Sequence, residues 1–431
     1  MIGFVYGYIS HRSKLFPSNW LSALYDRMYK PAQQPPAVPE EHAGRWRSNN
    51  ANDSLSKFTS RQLEEMEKLR SIGYVSGSRP VPKHRLGITV YDKASAYNGL
   101  NLYTSGHGPE AILMDMEGKE LHKWRYDFEA AWPNDPMAGT NSHTQYWRRA
   151  LLFPNGDLCA IFEGIGIIKL NKESKLLWSY RGGAHHDMFA AVDGSIYVLT
   201  REPRIIPRIN REQPVLEDFV TVLNSDGEFK KKISILEAFE DSDYAPILKR
   251  MEKQGDILHT NTIRVLDGSQ AKRSPAFKEN NILISILKLD AVAVLDIDTT
   301  RIVWSINGMW REQHQPILLE DGNMLLFDNL GNGGRSKVIE FDPLTQRVVW
   351  TYGLGTGESL FSETCGSVQR LPNGNTLITE SDAGRALEVT RSNLIVWEYF
   401  NPAQVNDRNR ELIATLFEVT RIPLQFPLDW L

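Results

Sequence analysis

From about residue 98 onward, short apolar runs alternate with tight-turn signals, and the same unit returns again and again along the chain. Each unit is an apolar strand, an Asn-Gly or Asp-Gly turn, a second strand, a third ending in Asp or Asn, and a fourth closing on Trp. The clearest copies are PILLEDGNMLLFDNLGNGGRSKVIEFDPLTQRVVWTYG and SVQRLPNGNTLITESDAGRALEVTRSNLIVWEYFNP, with an earlier one in LLFPNGDLCAIFEGIGIIKLNKESKLLWSYRG. A type I′ turn needs positive φ at both central positions, which is why Asn-Gly and Asp-Gly mark the first turn of each unit. The closing tryptophans are Trp124, Trp178, Trp304, Trp350 and Trp397. The long stretch between Trp178 and Trp304 holds one more unit, MFAAVDGSIYVLT…FVTVLNSDGEFKKKISI, in which Ile233 or Ile235 takes the tryptophan's place. A four-stranded repeat of about 40–50 residues is the signature of a β-propeller. The prediction is therefore an all-β, six-bladed propeller over 98–402, with the tryptophans packed between blades.

Upstream the pattern is different. Residues 1–58 mix Pro, Gln, Asn and Ser (KPAQQPPAVPEE, SNNANDS) and read as an extended arm with little core of its own. A helix is predicted after it, capped by Ser60 and stopped by Gly73, with Leu63, Met66 and Leu69 on one face. It falls in a lead-in segment over 59–97, and residues 403–431 are expected to pack on the propeller. Met1–Ser10 is apolar but far shorter than the roughly 20 residues a spanning helix needs. It reads either as the remnant of an anchor or a membrane-surface contact, or as an ordinary packing or protein contact. Trp20, Leu21, Leu24 and Tyr25 form a further apolar group suited to a partner or a membrane surface.

Composition narrows the partners. Charged residues make up 24% of the 431 and the formal net charge is −4, so no basic footprint for nucleic acid exists. Cys159 and Cys365 lack CxxC spacing and fall in blades two and six, which predicts two buried free thiols rather than a disulfide.

The repeat also serves as a ruler for histidines. Counting back from the first turn of each unit, His186 precedes Asp193 by 7, His259 precedes Asp267 by 8, and His314 precedes Asp321 by 7. Gly366 precedes Asn373 by 7, so the last blade offers no side chain there, and His143 falls in a loop above the channel. Three successive blades thus aim an imidazole at one mouth of the channel, among polar neighbours: His185-His186-Asp187, Asp256-Ile257-Leu258-His259-Thr260-Asn261 and Arg311-Glu312-Gln313-His314. Clustered imidazoles admit two chemistries. They suit Zn, Cu or Fe as ligands, or one acts as a nucleophile while its neighbours stabilise a transferring oxyanion.

IGYVSG, GLNLYTSG, HHDMFAAVDGSIYVLTRE, DILHTNTI, GMWREQHQPILLEDGNMLLFDN, VIEFDPLTQRVVW and LPNGNTLITESDAGRALEVT together resemble the bacterial aryl-sulfate sulfotransferases, over more than three-quarters of the chain. The resemblance implies a six-bladed propeller in which a central histidine accepts a sulfuryl group from a phenolic sulfate and passes it to a phenol, without a nucleotide donor. Matched motif by motif, His314 would be the nucleophile, and His259, Asn261 and His186 would hold the sulfuryl and phenolic oxygens. His143, His185, Arg311 and Lys288 complete the substrate-binding set. No cofactor or metal is expected on that reading, the partners are a small phenolic sulfate and a phenol, and the location is periplasmic or exported with a membrane association through the arm.

One departure stands out: the family's arginine shortly after LHTN is replaced here, in ILISILKLDAV, by Leu287. Strand alternation would send the adjacent Lys288 to the opposite face unless a bulge intervenes. Arg311 and Arg335 are candidates to compensate. The loss opens an alternative, an inactive propeller serving as scaffold or subunit of a membrane-associated complex. A third reading is a quinone-cofactor dehydrogenase, since DIDTTRIVW and DPLTQRVVW resemble the tryptophan-docking motif of those propellers. Those enzymes usually have eight blades, and many carry a vicinal disulfide, so six units without adjacent cysteines argue against it.

Overall fold

The computed structural model describes residues 85–139, 142–355, 360–407 and 410–431, together with Thr59, Arg61, Gln62 and Ser78–Pro80. The arm over 1–58 and nearly all of the helix expected over 60–73 lie outside the described residues.

Six antiparallel sheets of four strands each form the ring, as the repeat predicts. Blades two to six follow the chain: Arg149–Leu152 to Leu176–Tyr180, Ala184–Ala190 to Phe229–Ser234, Thr260–Val265 to Arg301–Asn307, His314–Leu318 to Val348–Tyr352, and Ser367–Arg370 to Ile395–Phe400. The first blade is built from both ends. Its second to fourth strands are Gly99–Ser105, Glu110–Met114 and Glu120–Arg125, and its inner strand is Leu416–Pro423, paired antiparallel with Gly99–Ser105. The C-terminal segment, expected to pack on the propeller, is thus a strand of it. Gly87–Tyr91, from the lead-in, adds a fifth strand outside the sixth blade. Among the described residues no helix is long and apolar enough to cross a membrane. Both cysteines are buried and free.

Strand pairing corrects the place of the missing tryptophan. Trp178, Trp304, Trp350 and Trp397 sit opposite Lys169, Val294, Glu340 and Glu388, each just past a bulge. The indole N–H of Trp178 donates to Ser225 O in the next blade's outer turn at 3.0 Å, that of Trp350 to Arg391 O at 3.0 Å, and that of Trp397 to Met116 O at 3.0 Å. In the third blade the equivalent residue, opposite Val222, is Lys231, and its Nζ donates to Ile297 O at 2.7 Å. In the first blade it is His122, opposite Leu113, whose Nε2 reaches Lys172 O at 2.8 Å. Ile233 instead matches Trp124, two residues further along their strands. The position needs a long or flat side chain carrying an N–H for the neighbour's turn carbonyl, a requirement that Lys and His meet and Ile cannot.

Candidate functional site

The channel ends of four consecutive blades leave the regular strand conformation at the same mouth. Non-glycine residues with positive φ stand there in each: His186 (54°), His259 (51°), Gln315 (51°) and Cys365 (56°). The left-handed conformation costs an L-residue about 1–2 kcal/mol, so the bulged backbone is held by something else. The holders are side chains of adjacent blades. Glu163 accepts the His186 N–H at 2.9 Å, Asp218 the Thr260 N–H at 2.6 Å, and Thr262 Oγ1 the Gln315 N–H at 3.0 Å. Gly366 (100°) follows Cys365, and a Cβ there would stand 2.6 Å from the Phe327 ring. This is why the sixth blade presents no side chain.

The ruler needs one revision. The amide that closes the first turn belongs to Phe153, Ala191, Leu266, Leu319 and Leu371 in blades two to six. Five residues ahead of it (148 to 153, 186 to 191, 261 to 266, 314 to 319, 366 to 371) stand Arg148, His186, Asn261, His314 and Gly366. The turn of blade four is extended, so His259 lies two residues further out and Asn261 holds the shared place. His259 still joins its neighbours, because its ring packs edge to face on that of His186 with centroids 4.9 Å apart.

A cavity of about 410 Å³ opens here, lined among others by His186, Asp256, His259, Leu287, Lys288, Glu312, His314 and Cys365. His314 Nδ1 lies 2.9 Å from Asn329 Oδ1 and 3.2 Å from Glu312 O. The Asn329 amide donates through Nδ2 to Ser362 O and Cys365 O, both at 2.8 Å, which fixes its oxygen towards the ring. Both neighbours of Nδ1 are acceptors, so Nδ1 carries the proton and Nε2 keeps its lone pair. No described residue hydrogen-bonds Nε2. Burial pushes His314 down to about 3, opposed by the Asn329 hydrogen bond and assisted by the charges of Arg148 and His259. The ring is thus neutral at any ordinary pH.

His259 is held differently: its Nδ1 lies 2.8 Å from Asp256 Oδ2, and its own N–H donates to Asp256 Oδ1 at 3.0 Å. His186 Nδ1 lies 2.9 Å from His185 Nδ1 and 3.2 Å from Glu163 Oε1. Burial, the foremost cause, holds both His185 and His186 well below the usual histidine range. Asp218, behind them, is raised to about 7 by burial and by the charge of Asp256.

The remaining predicted residues fall in three places. Lys288 and Leu287 both line the cavity, because the strand Ile282–Ile286 gives way to a 3-10 turn over Leu287–Leu289 and alternation no longer applies. Asn261, His143 and His185 lie behind the wall. The Asn261 amide donates to Gln313 O at 2.8 Å and its oxygen accepts from Thr262 Oγ1, so it positions the chain ahead of His314 and does not line the cavity. His143 is buried with Nδ1 3.1 Å from Glu163 O, and its charged form is disfavoured by burial. Arg311 and Arg335 are exposed and off the cavity wall.

Sequence reasoning passed over Arg148, Glu163, Asp256 as a partner, and Asn329. Arg148 is buried, with its guanidinium 5.3 Å from the Phe417 ring centre, and its charge reaches His314, His186 and Cys365. Among the described residues no carboxylate pairs with it. The available signal was the register: Arg148 holds the place of His186 and His314 in the second blade. Glu163 follows one second strand and Asn329 lies within another, where a polar residue interrupts an apolar run (CAIFE, LLFDN).

The structure is thus a six-bladed propeller with histidines lining one mouth of its channel. The family model described as Arylsulfotransferase (ASST) matches residues 150–402, and the chain belongs to that family. No curated protein matches the chain. Among solved structures it is similar to a protein of unknown function from Bacteroides caccae, at 12% identity over 75% of this chain and 98% of that one, with a TM-score of 0.48. It is also similar to a streptogramin B lyase, at 13% identity over 80% and 97%, with a TM-score of 0.42.

Proposed function

We propose that the protein transfers a sulfuryl group from a phenolic sulfate ester to a phenol through a sulfohistidine on His314. The observation that carries this reading is the His314–Asn329 arrangement, which leaves an Nε2 lone pair at a cavity wall in a member of the arylsulfotransferase family. Nε2 attacks sulfur, the N–S bond forms as the S–O(aryl) bond breaks, and the electron pair leaves on the phenolic oxygen. Protonated His259, stabilised by Asp256, gives that oxygen a proton. The sulfohistidine keeps its Nδ1–H on Asn329. A phenol then returns its proton to His259, its oxygen attacks sulfur, and Nε2 regains its pair. Lys288, His186 and Arg148 supply the donors and positive charge for the sulfuryl oxygens in place of the family arginine. His143 and His185 orient these groups from behind, and Asn261 sets the backbone ahead of His314. On the same reading the enzyme works outside the cytoplasm.

The test is to mix the protein with 4-nitrophenyl sulfate and follow nitrophenol, with and without phenol. A burst stoichiometric with enzyme, turnover only when phenol is added, and loss of both in His314→Asn are expected. A folded wild type that releases no nitrophenol refutes the reading and favours the inactive scaffold.

A further inference from the structure

Next to the cavity three buried side chains converge that sulfuryl transfer does not itself require together. Glu163, His185 and His186 each bring one ligand atom within 4.8 Å of the other two. Neighbouring residues on a strand point to opposite faces. His185 and His186 do not, because the inner strand of blade three bulges between Ala184 and Met188, with φ of 54° at His186. Their Nδ1 atoms end 2.9 Å apart, and Glu163 Oε1 is 3.2 Å from that of His186. With metal–nitrogen bonds of about 2.0–2.1 Å, the corners of a tetrahedral zinc site lie about 3.3 Å from each other, close to this spacing.

The chemistry of the donors agrees. Two imidazoles and one carboxylate form a donor set that suits an ion of the zinc type. Glu163 Oε2 accepts the His186 N–H, while no described residue hydrogen-bonds Oε1. Behind His185, Asp218 Oδ1 lies 3.7 Å from Nε2, where a carboxylate commonly backs a metal-bound imidazole. Charge points the same way. Two carboxylates, Glu163 and Asp218, stand beside these rings. Arg201 and Arg148 are the cations whose charges reach His186.

We propose that Glu163, His185 and His186 bind a divalent transition metal ion of the zinc type, with a coordination position left for water or substrate. Coordination through His186 Nδ1 leaves the ring's proton on Nε2, a fixed donor for an anion in the cavity. The ion also supplies positive charge beside the wall where Leu287 replaces the family arginine. The binding stands independently of sulfuryl transfer; only its service to the sulfate rests on that reading.

The full chain, incubated with Zn²⁺ or Co²⁺ and dialysed, should retain about one equivalent by elemental analysis. The Co²⁺ form should show the intense visible bands of a low-symmetry four-coordinate site. Glu163→Gln and His185→Gln should each lose the ion while retaining the wild-type circular dichroism. If these variants do not fold, anomalous diffraction from the wild-type zinc form decides instead, by placing the ion between the three side chains. No retained metal, or an ion located elsewhere, overturns the proposal. Retained metal without nitrophenol release refutes the sulfuryl-transfer reading alone. Full transfer in a metal-free protein that takes up none refutes the metal site alone.

Discussion

Blades four and five each deliver an imidazole to the same cavity, and they back it with opposite chemistry. His259 rests on a carboxylate, Asp256, at 2.8 Å, whereas His314 rests on a carboxamide, Asn329, at 2.9 Å. A carboxylate stabilises the imidazolium, so it suits a ring that carries a proton to and from a phenolic oxygen. An amide fixes the tautomer, and the pull of Asn329 towards protonation is outweighed by burial, so it suits a ring that must keep its lone pair. On the proposed reading, the second partner, rather than the imidazole, assigns acid–base work to one blade and nucleophilic work to the next.

Removing the charge on the blade-four side should have the largest effect on this contrast. Asp256→Asn should slow transfer by about 10²–10³-fold, within the range typical of general acid–base catalysis. The loss should be greatest for donors with poor leaving groups and smallest for 4-nitrophenyl sulfate. A uniform loss across leaving groups would break the assignment. Next, Asn329→Ala should lower the rate of the burst by about 10-fold or more through loss of orientation. Asn329→Asp should introduce an acid limb in the pH profile of the burst that wild type lacks. If wild type and Asn329→Asp share one profile, a carboxylate at this place does not promote protonation of His314, and the contrast between the two partners fails.

The smallest effect concerns stability. An unfolded histidine takes up its proton near 6.5, while folded His314 does so only near 3. The unfolded state therefore binds more protons between these values, so stability is complete above about 6.5 and falls as pH drops through that window. His185 and His186, lowered by burial, add in the same direction. Melting temperatures measured from pH 7.5 down to 4.5 should decline, and His314→Asn should flatten the slope.

The ring and the three histidines were legible because tight turns and apolar alternation repeat locally. The ruler failed where length was not conserved between turns. The extended blade-four turn before Asn281 displaced the count, giving His259 the place that Asn261 holds. Lys231 and His122 escaped notice because the interblade contact asks for an N–H, not for an indole. Glu163 and Arg148 act across blade boundaries, and no spacing within one repeat reports a contact made with the next; Asn329 meets His314 within blade five but is held by Ser362 and Cys365 beyond it. The turn over Leu287–Leu289 was equally hidden, since an apolar run gives no sign of where a strand stops.

The strand Leu416–Pro423 gives the molecule a clock. Synthesis releases blades two to six in order, yet the first blade lacks its channel strand until residues 416–423 emerge. That strand also brings Phe417 beneath Arg148 and Glu418 to Arg149 and Gln315. The ring is therefore closed only after the other five blades have been made. A chain ending before residue 416 should leave the first blade's edge open and the channel without Phe417 and Glu418.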